Sequence, residues 1–394
     1  MDVRTTAFSP AAADCGASRI LVAIELSKKS WLVALLTPLA DRVSLHTLPA
    51  GEAAGLLALL RKARRKAEAA LGRPVDVVSC YEAGYDGFWL HRVLCAHGIA
   101  NQVFDPASLA VNRRARRAKT DRLDVSGLLR ALAAQLRGEP RVVSVVRVPS
   151  VEEEDARRLS RERHRLVTER VSHVNRIKGL LATQGIYDYE PLRRDRRERL
   201  AGLVCGDGRP LPSRLAAEIG RELVRLELVL TMIAELEAER DAIAAAKATN
   251  HPGAAKIVRL ARLTGVGPEF ATVLTGEVFY RCFANRRQLA AYVGLDASPF
   301  CSGGMNRDQG IAKSGNAKAR TTMVELAWGW LRHQPDSALS RWFQDRVGAL
   351  KGRPRRIAII ALARKLLVAL WRYVETGLVP DGAVLKADKK MLKA

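Results

Sequence analysis

The chain has 394 residues, and 65 Lys and Arg against 41 Asp and Glu give a formal net charge of +24 at pH 7. A hydrophobic fraction of 48% is enough to build buried cores, and no uninterrupted apolar run is long enough to cross a bilayer. We expect no secretory signal, and six scattered cysteines without a CxxC pair fit reduced thiols in a cytoplasm. The positive charge favours a polyanionic partner, because Lys and Arg that neutralise phosphates release condensed counterions.

An Ala-rich tail over 1–18 precedes a segment, 19–150, in which strand and helix patterns alternate. The predicted elements are strands at 20–26, 31–36 and 43–48, a helix at 51–71, a strand at 74–80, a helix at 88–97, a strand at 102–104 and a helix at 121–136. The order β-β-β-α-β-α-β-α combines an antiparallel meander with parallel crossovers. It predicts an α/β domain with a ribonuclease-H-like mixed sheet.

Residues 151–250 have a different pattern, in which apolar residues recur three, four or seven positions apart among Arg and Glu. Ile219, Leu226 and Ile233, for example, are spaced by seven. This spacing predicts two coiled-coil-like helices on either side of a Gly/Pro-rich break at 202–212. Such helices could form an antiparallel arm or pair with another subunit, and an ordinary helical subdomain fits equally well.

The remaining chain predicts a mostly helical domain over 251–380, followed by a basic tail over 381–394. Residues 263–268, before a helix, have the pattern of a helix-hairpin-helix turn. Gly265 and Gly267 would let backbone N–H groups approach a phosphate there. A Gly/Ser-rich patch follows, and two further helices are predicted to close the domain.

Four carboxylates are predicted to converge at one edge of the N-terminal sheet. They are Glu25 on the first strand, Glu82 just after the fourth strand, and Asp121 and Asp124 at the start of a helix. Carboxylate oxygens are the ligands that Mg²⁺ or Mn²⁺ takes in phosphodiester chemistry, where two ions can clamp the attacking and leaving oxygens. Asp76 lies inside its strand and Asp86 in a Gly-flanked turn, so both are left out of the set.

Each acid also has an ordinary structural interpretation. Glu25 could pair with Lys28 or Lys29, Asp121 could cap its helix, and Glu82 could be a solvated turn residue. The metal site is favoured because the four acids lie together at the ends of the elements that the fold requires.

Basic residues lead directly into Asp121. They are Arg113, Arg114, Arg116, Arg117 and Lys119. Their charges would hold phosphates close to the acids, which would otherwise repel a polyanion. A solvated basic loop is the alternative.

Seven stretches, in this order, resemble one known family. They are residues 22–29, 81–84, 119–124, 265–268 (Gly-Val-Gly-Pro), 291–295 (Ala-Tyr-Val-Gly-Leu), 302–304 (Ser-Gly-Gly) and 313–316 (Lys-Ser-Gly-Asn). The chain resembles the insertion-sequence transposases with an N-terminal DEDD domain and a C-terminal serine domain, which are bridge-RNA-guided DNA recombinases. The resemblance covers nearly the whole chain.

The resemblance implies that the four acids bind divalent metal in a RuvC-like domain, and that Ser302 attacks a DNA phosphate to form a covalent phosphoserine link. It also implies that the two sites come from different subunits, and that a non-coding bridge RNA selects donor and target DNA. One departure is Glu25, where the family usually has Asp. Glu is one methylene longer but still supplies a hard oxygen ligand.

The residues themselves leave alternatives for the nucleophile. Ser302 precedes two glycines and could be a simple turn residue, while Ser298 and Ser314 are rival hydroxyls and Cys301 a stronger intrinsic nucleophile. The nearby cations that could bind the phosphate are Arg307, Lys313, Lys318 and Arg320.

Two other functions remain open at this stage: a metal-dependent nuclease or junction resolvase without serine chemistry, and a non-catalytic nucleic-acid scaffold. The heptad spacing predicts a homo-oligomer, a dimer or tetramer, formed through the arm. We expect a cytoplasmic, nucleoid-associated protein without membrane binding, because the basic residues are spread through the chain rather than gathered on one amphipathic helix.

Overall fold

A computed structural model describes residues 18–40, 42–109, 121–244, 251–302 and 305–386, with only the backbone at 299–302 and 305–309. The chain divides into two units, Met1–Val148 and Pro149–Ala394. The predicted tail at 1–18 lies outside the described residues except for Ser18, as do residues 387–394 of the predicted basic tail.

The first unit contains a five-stranded mixed sheet in the order β3-β2-β1-β4-β5. Its strands are β1 (Arg19–Leu26), β2 (Ser30–Leu36), β3 (Ser44–Pro49), β4 (Asp76–Glu82) and β5 (Ala100–Phe104). The pairs β1–β2 and β2–β3 are antiparallel, whereas β1–β4 and β4–β5 are parallel. Its helices are α1 (Ala53–Leu71), α2 (Trp89–Ala96) and α3 (Asp121–Leu136), with a short 3₁₀ turn at Pro106–Ser108. The predicted element order is therefore confirmed for this unit.

Alternating side chains of the central strand β1 divide the core of this unit into two layers. Ile20, Val22 and Ile24 pack with α1 and α2 on one face. Leu21 and Ala23 pack on the other face, with Leu128 and the rest of the apolar side of α3. The side on which a β1 or β4 residue points thus follows from its parity along the strand.

The second unit begins with α4 (Val151–Asp155) and two long helices, α5 (Arg158–Ala182) and α7 (Ser213–Ala244), separated by α6 (Arg196–Ala201). The two long helices run antiparallel, because residues with increasing numbers in α5 contact residues with decreasing numbers in α7. The polar contacts that show this are the ion pairs Arg163–Glu237 at 2.6 Å and Arg176–Glu218 at 2.8 Å and the hydrogen bond between His173 and Glu222 at 2.7 Å. Ile219, Leu226 and Ile233, the heptad residues, are buried.

The rest of this unit is a helical core with one hairpin. Its elements are α8 (Ala254–Ala261), α9 (Pro268–Leu274), a π-helical turn (Thr275–Phe279), α10 (Arg286–Val293), β6 (Ala297–Ser302), β7 (Met305–Ile311), α11 (Ala317–His333), α12 (Ala338–Val347) and α13 (Arg353–Thr376). Buried residues of α13, such as Leu362 and Leu366, pack with Met323 and Trp330 of α11. The π-helical turn, α12 and the antiparallel β6–β7 hairpin are absent from the sequence-based prediction, which treated the hairpin as a Gly/Ser-rich patch.

Candidate active site

Glu25 and Glu82 occupy neighbouring positions on the two central parallel strands. The last β1–β4 register pair is Ile24 with Tyr81, and each glutamate is the next residue along its strand. Alternate residues of a strand point to the same face of the sheet. Glu25 is two residues after Ala23, and Glu82 is two residues after the buried Cys80, so both glutamates lie on the face that α3 covers. Glu25 is half-buried and its Oε2 atom is fully buried, whereas Glu82 is exposed.

Asp121 and Asp124 lie in the first turn of α3, the helix that covers this face. Asp121 is exposed and Asp124 is half-buried. The Cys80 Sγ atom lies 3.7 Å from the Leu128 carbonyl oxygen, which fixes α3 against β4. Asp124 is one helical turn before Leu128 and Glu82 is two residues after Cys80, so each is about 6 Å along its own backbone from this contact.

The four acids do not close into a metal-binding group. Among the described side chains, no three His, Cys, Asp or Glu residues come together in a way that could hold a metal ion. The structure brings Glu25 and Glu82 to one level of the sheet, and it places Asp121 and Asp124 at one end of the covering helix. The chemistry of this donor set, carboxylate oxygens only, fits Mg²⁺ or Mn²⁺. Approach of four like charges without a cation is opposed by their mutual repulsion.

The neighbouring thiol and phenol supply no further negative charge at this edge. Burial raises the pKa of the Cys80 thiol far above its ordinary value. Burial also raises the pKa of Tyr81 to about 12. The Tyr81 hydroxyl donates a hydrogen bond to the Gly87 carbonyl at 3.3 Å. Both groups are therefore neutral at pH 7, and carboxylates supply the negative charge of these strand ends.

Several predicted site residues have only a partial description. The basic loop with Arg113, Arg114, Arg116, Arg117 and Lys119 lies outside the described residues. Ser302 ends β6, where the backbone register pairs it with Met305, and Arg307 lies on β7 opposite Phe300. The rival Ser298 lies inside β6, and Ser314 is exposed in the segment before α11.

The predicted glycine turn connects α8 to α9 as expected, but its first glycine has a packing role. Gly265 has φ +84°, and a Cβ at this position would lie 2.8 Å from the His333 Cβ. Only glycine fits this backbone without strain. Gly267 is the N-cap residue of α9 in an extended conformation, and a Cβ there would meet open space. Packing thus explains the need for glycine at position 265. It does not explain Gly267, whose backbone is open to close approach by a phosphate.

The Lys-Ser-Gly-Asn stretch packs directly against the Ala-Tyr-Val-Gly stretch. Added Cβ atoms at Gly294 and Gly315 would collide with the Ser314 and Tyr292 carbonyl oxygens, respectively. Arg320 Nη1 donates to the Val293 and Ser314 carbonyls at 3.2 Å each, so its guanidinium joins the two stretches. Of the other two predicted phosphate ligands near α11, Lys313 is more exposed than Arg320, whereas Lys318 is half-buried like Arg320.

Lys313 is exposed with φ +58°, which is uncommon for a residue other than glycine. Lys318 is half-buried, and its Nζ atom lies 3.2 Å from Ser160 Oγ. Lys313 is therefore open to solvent, whereas Lys318 belongs to the partly buried interior of this unit.

Sequence reasoning missed Glu277, a carboxylate with 1% exposure in the π-helical turn. Arg161 Nε and Nη2 donate to its two oxygens at 2.8 and 3.1 Å, and Asn316 Nδ2 donates to Oε2 at 2.9 Å. Burial opposes ionisation, but the hydrogen bonds and charge of Arg161, with the Asn316 amide, keep the pKa of Glu277 below its ordinary value. An acid within the apolar run 271–279 was the available signal, since a buried charge requires partners.

Asn316 connects this carboxylate to the Lys-Ser-Gly-Asn stretch. Its Oδ1 atom accepts from Ala319 N at 3.0 Å, which caps α11, while its amide binds Glu277. The Tyr292 hydroxyl donates a hydrogen bond to the Glu277 backbone carbonyl at 3.0 Å. The Glu277 carboxylate therefore binds the residue that caps α11, and its backbone carbonyl binds the end of α10.

The mixed sheet, its strand order and the acids at one edge are compatible with a ribonuclease-H-like domain. Comparison with protein families gives two matches along the chain. Residues 22–185 match a DEDD transposase model of the IS110 group, and residues 258–341 match a model described as "Transposase IS116/IS110/IS902 family".

Individual relatives agree with this result. A putative transposase, y4rJ, of Sinorhizobium fredii is 52% identical over 380 residues, which is 95% of this chain and 96% of the relative. A probable family 20 transposase of Pseudomonas aeruginosa is 31% identical over 57% of this chain and 65% of its own length. The transposase for insertion sequence element IS1111A of Coxiella burnetii is 27% identical over 71% of this chain and 73% of its own length.

The chain belongs to the IS110 family of transposases, enzymes that cut and rejoin DNA. The DEDD class to which the first match assigns it indicates dependence on a divalent metal ion. Within the part of the chain that the structure describes, none of the helices is both long and apolar enough to span a membrane.

Proposed function

We propose that this transposase cuts and rejoins DNA through a covalent phosphoserine link at Ser302. Glu25, Glu82, Asp121 and Asp124 would bind the divalent ions, Mg²⁺ or Mn²⁺. The observation that carries the proposal is the neighbouring position of Glu25 and Glu82 beneath α3, in a chain that matches the family in both units. Like charges side by side at two strand ends repel each other, and a divalent ion bound between them would relieve that repulsion.

The proposed chemistry conserves phosphodiester bonds. Ser302 Oγ attacks the phosphorus atom, the new P–Oγ bond forms, and the bond to the leaving deoxyribose oxygen breaks. The serine proton ends on that leaving oxygen. Bound divalent ions would lower the pKa of the attacking hydroxyl and stabilise the charge on the phosphate. Because one ester replaces another, reversal of the step by a new deoxyribose hydroxyl rejoins DNA without ATP.

The test of this proposal is a trapped protein–DNA adduct. Wild type with an end-labelled DNA of its own element and Mg²⁺ should give a denaturation-resistant adduct, and Ser302→Ala should remove it. Ser314→Ala and Cys301→Ala are matched controls that should retain it. Unaltered cleavage by Ser302→Ala without any adduct would instead establish a metal-dependent nuclease or junction resolvase without serine chemistry.

We also propose that a non-coding bridge RNA guides the choice of donor and target DNA. The net charge of +24 supports a second polyanion beside DNA. Positively charged groups proposed to contact nucleic acid are the loop cations Arg113, Arg114, Arg116, Arg117 and Lys119, together with Arg307, Lys313, Lys318 and Arg320; Gly265 and Gly267 are proposed backbone contacts. Purification followed by RNA sequencing should recover one structured RNA encoded beside the gene; only random cellular RNA would argue against guidance.

The helix pair α5–α7 supports the proposed homo-oligomer, a dimer or tetramer. Its heptad residues are already buried within one chain, yet α7 also exposes a second apolar row. Val224, Leu228 and Met232, each four residues apart, are 56%, 57% and 40% exposed. Residues four apart share one helix face, so a second copy would cover this row.

Light scattering tests the oligomer. Leu228→Glu should reduce the molecular mass of the assembly, because it places a charge in the proposed interface. Val204→Glu, at a similarly exposed position outside α7, should not. Equal masses for the wild type and both variants would contradict a contact through this row.

A further inference from the structure

Arg157, just before α5, is a buried arginine with unused hydrogen-bond donors. Its exposure is 7%, and its guanidinium carbon lies 3.9 Å from the centre of the Tyr280 ring. The Nε and Nη2 atoms are buried and have no hydrogen-bond acceptor within the described parts of the chain. A buried guanidinium without acceptors is costly to a fold. An acceptor from outside the chain would satisfy these two donors.

The surroundings of Arg157 carry more positive than negative charge. Arg161 and Lys318 are nearby cations, and the Lys318 ammonium has the Ser160 hydroxyl at 3.2 Å as its hydrogen-bond partner. Burial, together with the charges of Arg161 and Arg163, lowers the pKa of Lys318, although Glu277 and Glu269 oppose this effect. These cations would gain from a negative ligand.

The carboxylates of this region are already used. Glu277 binds Arg161 and Asn316, as described above. Glu269 lies 3.4 Å from Arg163 and 3.0 Å from Arg240. Neither acid is within ion-pair distance of Lys318 or Arg157, as far as the described side chains show. The charge of Glu277 still acts on both Arg157 and Lys318 from a longer distance. An anion at this position would therefore find two cations that lack a direct ion pair among the described side chains.

We propose that Arg157 and Lys318 form a binding site for a backbone phosphate of nucleic acid, with the half-exposed Arg161 at its edge. The site rests on the proposed function, since it takes the polymer that a transposase handles. Glu277 is its positioning residue, because it holds Arg161 and the Asn316 cap at the start of the helix that carries Lys318. The bound phosphate would thus be fixed relative to the Lys-Ser-Gly-Asn stretch.

The site predicts opposite changes in stability and affinity for one substitution. Arg157→Met keeps an unbranched side chain but removes the unsatisfied donors. We expect the melting temperature to stay the same or rise, while the affinity for a DNA duplex falls about tenfold. The slope of log K against log[salt] should become shallower by about the amount that corresponds to the loss of one phosphate contact. A purely structural arginine would give the reverse: a lower melting temperature and unchanged affinity.

The matched control is the next residue, Arg158, whose side chain is 75% exposed in a surface ion pair with Asp155. Arg158→Met should leave the salt slope within about half a phosphate of wild type. Lys318→Gln is the second variant and should reproduce the loss of affinity. It keeps the test decisive if Arg157→Met fails to fold.

Binding of three ligands identifies which molecule supplies the phosphate. The ligands are a DNA duplex, a structured RNA and inorganic phosphate. Arg157-dependent binding of either polymer supports the site, whereas Arg157-dependent stabilisation by inorganic phosphate alone would overturn it as a nucleic-acid site. Identical affinities and slopes for wild type and both variants would also overturn it, while the proposed function would stand. Failure of wild type to bind either polymer would instead remove the proposed function itself.

Discussion

Each unit has carboxylates in apolar surroundings, but the two units treat this charge differently. In the second unit, the oxygens of Glu277 accept from Arg161 and Asn316, so the chain itself neutralises the charge. In the first unit, Glu25 and Glu82 are like charges at adjacent positions on parallel strands. In the first arrangement, donors of the same chain balance the charge, whereas the second concentrates like charge that a bound cation would stabilise.

This difference separates structural acids from functional acids by a physical criterion. A structural acid is surrounded by donors that the same chain supplies. The acids proposed to bind a metal ion lie beside one another, and their proposed ligand is a cation from outside the chain. The same reasoning distinguishes Arg157, with its unused donors, from Arg161, whose donors bind Glu277.

The largest expected effect is on catalysis by the first unit. Replacing both Glu25 and Glu82 with Gln should lower DNA cleavage by about a thousandfold or more, because the ligand charge for the divalent ions is lost. Wild type should also melt at a higher temperature with added Mn²⁺, since an ion that binds only the folded state stabilises it. The double variant should lose this shift.

Asp76→Asn is the matched control for that experiment. Asp76 is an exposed acid at the opposite end of the same strand, β4. It should keep both the activity and the Mn²⁺-dependent shift. Retention of cleavage by the Glu25/Glu82 double variant would show that these carboxylates are structural after all, and the comparison between the two units would fail.

The next effect is on the stability of the second unit. Glu277→Ala should reduce the free energy of unfolding by about 1.5–3 kcal/mol, because Arg161 and Asn316 lose the acceptor of their hydrogen bonds, while solvent reaches the half-exposed Arg161 side chain. Asp195→Ala, which removes the exposed pair with Arg193, should have a much smaller effect because solvent screens that pair. Urea unfolding measures both, and equal losses would contradict a special role for the buried pair.

The pH dependence of stability follows from the same carboxylate. Although burial opposes ionisation, the hydrogen bonds and charge of Arg161 and the Asn316 amide hold the pKa of Glu277 in the folded state below its ordinary value of about 4.5. Its contribution is therefore complete above the unfolded pKa and decreases as pH falls through the folded pKa. Wild type should lose stability below about pH 4.5, and Glu277→Gln should show a shallower loss over that range. Parallel curves for the two proteins would rule out this source of acid sensitivity.

Periodicity predicted the order of elements in the first unit because β1 and β4 are continuous apolar runs and α1 and α3 are long. Sequence also placed Glu25 and Glu82 at strand ends, since an acid after a buried strand is a local signal. The β6–β7 hairpin was missed although Gly303-Gly304 between two short runs is a hairpin signal. The polar composition of β7 outweighed that signal, and only cross-strand pairing makes it a strand.

Other features depend on contacts that local pattern cannot show. The partners of Glu277 are 116 and 39 residues away, so its burial and its ion pair emerge only in three dimensions. Arg157 lies in a charge-rich run that resembles a solvated helix start, and nothing in its neighbours indicates the Tyr280 ring. The proposed closure of the four acids around an ion would likewise depend on the ion itself.

The smallest expected effect concerns the glycine turn of the second unit. A packing role for a glycine predicts a loss of stability on substitution, whereas a phosphate-binding role predicts a loss of DNA binding. Gly265→Ala should destabilise the protein by about 1–2 kcal/mol, because φ +84° is unfavourable for alanine and the new Cβ would meet His333. Gly267→Ala should change stability by less than about 0.5 kcal/mol, since its Cβ meets open space. If Gly267 contacts DNA, this variant should instead weaken DNA binding, so calorimetry and a binding titration on the same two proteins separate the two roles. Unchanged binding by Gly267→Ala would assign the turn to packing alone.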